Sequence, residues 1–211
     1  MNGSFIEAGF FILLAGIMDI FDGKIARLLG ISSKFGVEFD SLADVVSFCV
    51  APSILVYNLY CNELNSIIGA IFSFIPLIAG TVRLAKYNLE SDEDSPKSYF
   101  VGLSTPISTV TILAFMYFSN QFGGLDYYGD PRLGLALVCI LGLLMLSPIH
   151  FPKVPLITFK SSSSNSILLL ILIACTVSLF IWKGIALLPI CLGYIIMNTL
   201  LWLFKSKPNN I

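Results

Sequence analysis

The sequence predicts an all-α protein: a polytopic bundle of about seven transmembrane helices forming one membrane-embedded domain, 1–211. Three observations carry this. Of 211 residues, 56% are hydrophobic and only 12% charged, with a mean hydropathy of +0.89, whereas soluble domains carry roughly 25% charge. The apolar residues fall in runs close to the roughly 20 needed to cross a hydrocarbon core of about 30 Å at about 1.5 Å per residue. The basic residues, finally, segregate to alternate connections between those runs.

The runs place helices near 4–28, 36–60, 65–88, 103–120, 132–149, 165–182 and 184–204. The first leads into a charged segment and not into a small-residue cleavage site, so it reads as a retained helix rather than a signal peptide. Breaks separate it and its successors at 29–35, at 62–65 and at 90–97, where Glu90, Asp92, Glu93 and Asp94 read as a solvated loop. The next break, 123–131, carries Gly123, Gly124, Asp126, Asp130 and Pro131, which are turn-forming residues. A longer one, 152–165, holds the run Ser161, Ser162, Ser163 and Ser164 and reads as a linker, and Lys183 divides the last two helices. His150, between Pro148 and Pro152, reads as a loop residue.

With the connection after the first helix on the cytoplasmic side, that side receives Lys24, Arg27, Lys34, Arg83, Lys86, Lys97, Lys153, Lys160, Lys205 and Lys207, and only Arg132 and Lys183 fall outside. Alternation of seven spans reproduces this positive-inside bias, which puts the amino terminus outside and the carboxyl terminus inside. The expected location is the cell membrane. A net charge of -1 offers no basic field for nucleic acid. The five cysteines are scattered through apolar runs without a CxxC pair and read as small buried hydrophobes.

Against this apolar background four acids stand out. Asp19 and Asp22 lie three residues apart at the cytoplasmic end of the first helix, and Asp40 and Asp44 four apart near the start of the second, so each pair shares a helix face. The short connection makes the helices antiparallel neighbours and lets the faces meet. A helix amino terminus attracts acids through its dipole, which would account for Asp40 and Asp44 but not for Asp19 and Asp22. An acid at mid-membrane costs roughly 2.5–3.5 kcal/mol, less near an interface, and repulsion adds to it. The economical offset is a pair of divalent cations. Carboxylates are hard ligands that suit Mg²⁺ or Mn²⁺, and two such ions suit phosphoryl-group transfer. Asp19, Asp22, Asp40 and Asp44 are the candidate metal ligands.

Gly23, Ala26 and Gly36 expose backbone beside the acids, where a nucleotide or phosphate can approach, although small residues also serve close helix packing. Arg27 offers a planar fork for phosphate at the rim. Arg83 and Lys86, at the cytoplasmic end of the third helix, are candidates for an acceptor's phosphate or carboxylate. Snorkelling and positive-inside anchoring are their structural alternative. Asn88 is a candidate substrate contact or helix cap, and Ser47, one turn after Asp44, a candidate lining residue.

Together Asp19, Asp22, Gly23, Ala26, Arg27, Gly36, Asp40 and Asp44 match all eight fixed positions of D-x2-D-G-x2-A-R-x8-G-x3-D-x3-D, a pattern whose chance occurrence at a given start is on the order of 10⁻¹⁰. The sequence thereby resembles the CDP-alcohol phosphotransferase family. Three further blocks resemble its serine-accepting branch: 40–48 followed by Ala51 and Pro52, Arg83 to Asn88 (RLAKYN), and Phe100 to Pro106 (FVGLSTP). The resemblance implies transfer of a phosphatidyl group from CDP-diacylglycerol to serine with release of CMP, Asp44 as general base, a homodimer in membrane lipid, and an active site facing the cytoplasm. It runs from about Phe11 to the 147–152 region. That branch has arginine where this chain has Lys86, which keeps the charge but loses bidentate geometry. The helix that the resemblance implies ahead of Asp19 has no counterpart here, so contacts from it are not assigned.

Phosphatidylglycerophosphate or phosphatidylinositol-phosphate synthesis shares the core motif and differs only in the acceptor. An aspartate-rich intramembrane prenyltransferase would also hold a diphosphate with Mg²⁺, but through separated DxxxD-like clusters. A cation transporter would place its acids near the midplane rather than at one edge.

Overall fold

The computed structural model describes residues 4–29, 33–61, 66–91, 99–123, 127–152 and 185–205. Helix α1 spans Phe5–Leu28, α2 Lys34–Val45 and α3 Ala51–Tyr60, with one π-helical turn, Val46–Val50, making α2 and α3 continuous. Helices α4 (Ser66–Ser73) and α5 (Ile75–Ser91) follow, then α6 (Thr105–Gly123), α7 (Pro131–Leu146) and α8 (Leu187–Lys205). Among the described residues three segments are long and apolar enough to cross a membrane, Glu38–Tyr60, Ile67–Leu89 and Leu187–Phe204, and Pro131–Leu146 is a shorter apolar helix. The sixth helix expected from the sequence, 165–182, lies outside the described residues.

Local sequence explains the ends and breaks. Ser33 Oγ accepts the Gly36 N–H at 3.0 Å and caps α2. Asp130 caps α7 by accepting the Arg132 N–H at 2.8 Å, with Pro131 in the first turn where no N–H is needed. The third expected helix is interrupted at Phe74. Pro76 cannot donate to the Phe72 carbonyl, and the chain turns there while Phe74 and Ile78 keep their bonds to Ala70 and Phe74, at 3.0 and 2.9 Å.

The reading of His150 as a loop residue needs correction. The fold is not purely helical, because Tyr99–Val101 (β1) pairs antiparallel with His150–Pro152 (β2), Phe100 opposite Phe151. His150 is therefore a strand residue. Gly102 makes the ribbon possible: its φ is +77°, and a Cβ there would overlap the Met145 carbonyl. The Gly102 and Leu103 N–H groups donate to the Ile149 and Leu144 carbonyls at 2.8 and 3.0 Å, which fastens the ribbon to the end of α7.

The main core gathers Val56, Tyr60, Ala79, Leu103, Ile112, Val138, Leu141, Met145 and Phe151 between α3, α5, α6, α7 and the ribbon. A smaller core of Ile12, Leu55, Leu113 and Met116 joins α1 to α3 and α6. Outside these, large side chains such as Phe10, Phe11, Ile67, Ile71, Leu143 and Phe204 stand exposed on several helices. A surface this apolar is a liability in water and ordinary against lipid. The molecule is a helical membrane protein.

Candidate active site

The site begins with the packing of α1 on the π-turn. The Phe48 ring lies over Gly16, filling the space a side chain there would need. Asp19 lies one turn beyond Gly16 on α1 and Asp44 one turn before Phe48 on α2. In antiparallel helices that contact brings the two acids to the same level. The Asp19 carboxyl is within hydrogen-bonding reach of Asp40 and close enough to Asp44 and Asp22 to feel both charges. Asp44 in turn feels Asp40 and, with opposite sign, Arg83. Asp19 and Asp44 are half-buried, and Asp22 and Asp40 are exposed.

Asp19, Asp40 and Asp44 thus lie near enough to interact, in an open set. Among the described residues no three His, Cys, Asp or Glu side chains gather closely enough to hold one metal ion. One atom nevertheless fits a cation: Asp44 Oδ1 is buried and has no hydrogen-bond partner. A buried carboxylate oxygen without a donor is costly, and a hard divalent cation is the ligand its chemistry suits.

Behind Asp44 sits Arg83, only 8% exposed. Its Nη1 donates to Thr105 Oγ1 at 3.5 Å, and its Cζ lies 5.7 Å from the ring centroids of both Tyr87 and Phe100. Those rings are tilted against each other at 5.6 Å. The burial of this arginine is offset by aromatic faces and nearby acid. Exposed Lys86 joins Arg83, Val101 and Ser147 around a cavity of about 210 Å³. Arg83 and Lys86 thus line one cavity, on the side of α5 toward α7 and the ribbon.

Asn88 Nδ2 donates to Ser41 Oγ at 3.0 Å and ties α5 to α2 between Asp40 and Asp44. Ser47 is half-buried in the π-turn, and Gly36 is exposed in the first turn of α2. Gly23, Ala26 and Arg27 lie on the last two turns of α1, and their side chains fall outside the described residues. Sequence reading assigned no individual role to Ser41, Tyr87, Phe100, Thr105 or Thr109. The first four lie inside the three blocks singled out above, which meet here through Asn88 on Ser41 and Arg83 on Thr105 and Phe100. Block membership was therefore the available signal. Thr109 had none.

A family model described as CDP-alcohol phosphatidyltransferase matches residues 1–204. A CDP-diacylglycerol--serine O-phosphatidyltransferase of Helicobacter pylori is 34% identical over 201 residues, 95% of this chain and 81% of that one. Proteins of the same name from Methanocaldococcus jannaschii and Bacillus subtilis are similar too. The first is 35% identical over 144 residues, 68% of this chain and 63% of that one, and the second 36% over 148, 69% and 75%.

Proposed function

The chain belongs to the CDP-alcohol phosphatidyltransferase family, and on that premise we propose that it transfers the phosphatidyl group of CDP-diacylglycerol to the hydroxyl of L-serine, giving phosphatidylserine and CMP. The observation that carries the reading is the facing of Asp19, Asp40 and Asp44 from two helices with buried Arg83 behind them. The relatives named above support serine as acceptor.

Asp44 takes the proton of the serine hydroxyl as its oxygen attacks the lipid-side phosphorus, the bond from that phosphorus to the bridging oxygen breaks, and CMP departs with the other phosphate. When bound, two Mg²⁺ or Mn²⁺ ions held by Asp19, Asp22, Asp40 and Asp44 supply positive charge to the diphosphate. Arg83 and Lys86 give the cavity they line the charge to hold the serine carboxylate. Gly23, Ala26, Gly36 and Ser47 are the candidate contacts for the nucleotide, and Arg27 is the candidate partner for its phosphate. Asn88, through Ser41, steadies the helix that carries Asp40 and Asp44.

The same reading places the protein as a single domain of about seven spans in the cytoplasmic membrane, as a homodimer, with the acids at the cytoplasmic face. The basic residues of the inward connections support that orientation. The deciding experiment follows CMP release from CDP-diacylglycerol with serine, glycerol 3-phosphate and inositol phosphate in parallel. Release with serine well above both others is expected. Preference for either phosphorylated acceptor overturns the serine assignment and leaves the family membership intact.

A further inference from the structure

The π-turn between α2 and α3 has an identifiable cause. Pro52 has no N–H, so the Phe48 carbonyl four residues earlier loses its α-helical donor, and the pyrrolidine ring crowds that carbonyl. The backbone responds by shifting the Ala51 N–H to the Val46 carbonyl, one residue earlier than an α-helix would use. The freed Phe48 carbonyl accepts the Thr109 hydroxyl of α6 at 2.8 Å in a fully enclosed setting, Thr109 being 1% exposed. On the other flank the turn presses Cys49 against α5 at Gly80, where a Cβ would overlap the cysteine sulfur.

A π-turn carries one more residue than the α-helical turn it replaces. Each residue of an α-helix advances the phase by about 100°, so the extra one sets the direction in which α2 presents its side chains relative to α3. Asp40 and Asp44 lie on α2, just before the turn. Which way they face therefore depends on whether the turn stays π-helical.

We propose that Thr109 is a positioning residue for Asp44: its hydroxyl pins the π-turn and so aims the acids of α2 at those of α1. Thr105, one turn earlier on the same face of α6, accepts from Arg83, so one helix face fixes both the acid-bearing helix and the buried cation behind it. The inference rests on the reading of Asp44 as the base, and nothing in it depends on which alcohol is the acceptor.

The test measures kcat and KM for CDP-diacylglycerol by CMP release, with whichever of the three acceptors the wild type turns over. Absence of turnover with all three defeats the proposed activity; a defect confined to variants of the turn concerns this inference alone. Thr109→Val, which keeps the shape and removes the donor, is expected to lower kcat about tenfold or more with KM within about twofold, because small displacements of a reacting group cost that much. Thr109→Ser is expected to restore most of the rate. Thr111→Val is the control, since Thr111 is equally buried but donates within its own helix to Ile107 at 2.7 Å. It should leave kcat unchanged. Equal losses in both valine variants, or no loss in Thr109→Val, overturn the proposal. Should Thr109→Val fail to fold, Pro52→Ala decides: it returns an N–H to the Phe48 carbonyl and favours an α-helical turn, and is expected to fold stably with a lowered kcat. Wild-type kcat in a folded Pro52→Ala protein also overturns it.

Discussion

On α6, Thr105, Thr109 and Thr111 are each no more than 1% exposed, and each hydroxyl has a partner: Arg83, the Phe48 carbonyl and the Ile107 carbonyl. Across the π-turn the acids of α1 and α2 do the opposite. Asp19, Asp40 and Asp44 crowd like charges together, and Asp44 leaves a buried oxygen without a donor. Buried polar groups normally find partners, so a satisfied face beside an unsatisfied one separates scaffold from site. The hydroxyls of Thr105 and Thr109 reach other helices, and the acids are held in a repulsive arrangement that a bound cation would relieve.

The largest effect should come from supplying or withdrawing that relief. Chelation of divalent metal is expected to stop CMP release completely, and Mg²⁺ or Mn²⁺ to restore it, while helical content by circular dichroism stays constant. Full turnover in metal-free buffer would show that the acids tolerate one another unaided. Next in size is Asp44→Asn, which keeps the side-chain shape and removes the proton acceptor. A loss of serine-dependent CMP release of about 10²–10⁴-fold is expected, in a protein that still inserts in membranes. Wild-type turnover in that variant would refute the base assignment.

The acid side of this contrast was legible in the sequence and the hydroxyl side was not, for a physical reason. Charges in an apolar run are conspicuous, and the spacing of Asp19 to Asp22 and of Asp40 to Asp44 declares a shared helix face on its own. Arg83 and Lys86 were legible likewise, one turn apart at a span end. The π-turn depends on Pro52, Gly80 and Thr109 together, residues from three helices whose relation exists only once the helices pack. Threonine in a membrane helix ordinarily bonds back into its own turn, as Thr111 does, so Thr109 carried no mark of its reach to another helix. The ribbon was illegible because three-residue strands are too short to show a two-residue period.

A change in the scaffold that leaves every site residue in place should move stability before chemistry. Gly102→Ala forces a side chain into a left-handed backbone position against the Met145 carbonyl, which costs about 1–3 kcal/mol where the backbone cannot relax. Thermal inactivation in detergent is expected several degrees below that of the wild type. Because the ribbon also carries Phe100 against Arg83, KM for serine should rise modestly as well. A fall in kcat with no change in thermal stability would place Gly102 in the site and not beneath it.

The smallest effect should come from an acid remote from the others. Asp130 is exposed at the start of α7 and accepts one backbone N–H, so its charge is answered by a helix terminus and by water. Asp130→Ala is expected to cost about 1 kcal/mol of stability and to leave kcat, KM and the metal requirement as they are. Asp130→Asn should recover most of the loss, since the cap needs an acceptor and not a charge. Asp44 is expected to fail that same exchange, because the proposed mechanism uses its charge itself. If Asp130→Asn lowered turnover as Asp44→Asn does, acidity anywhere in the chain would matter to the rate, and the distinction between a capping carboxylate and a metal-binding one would collapse.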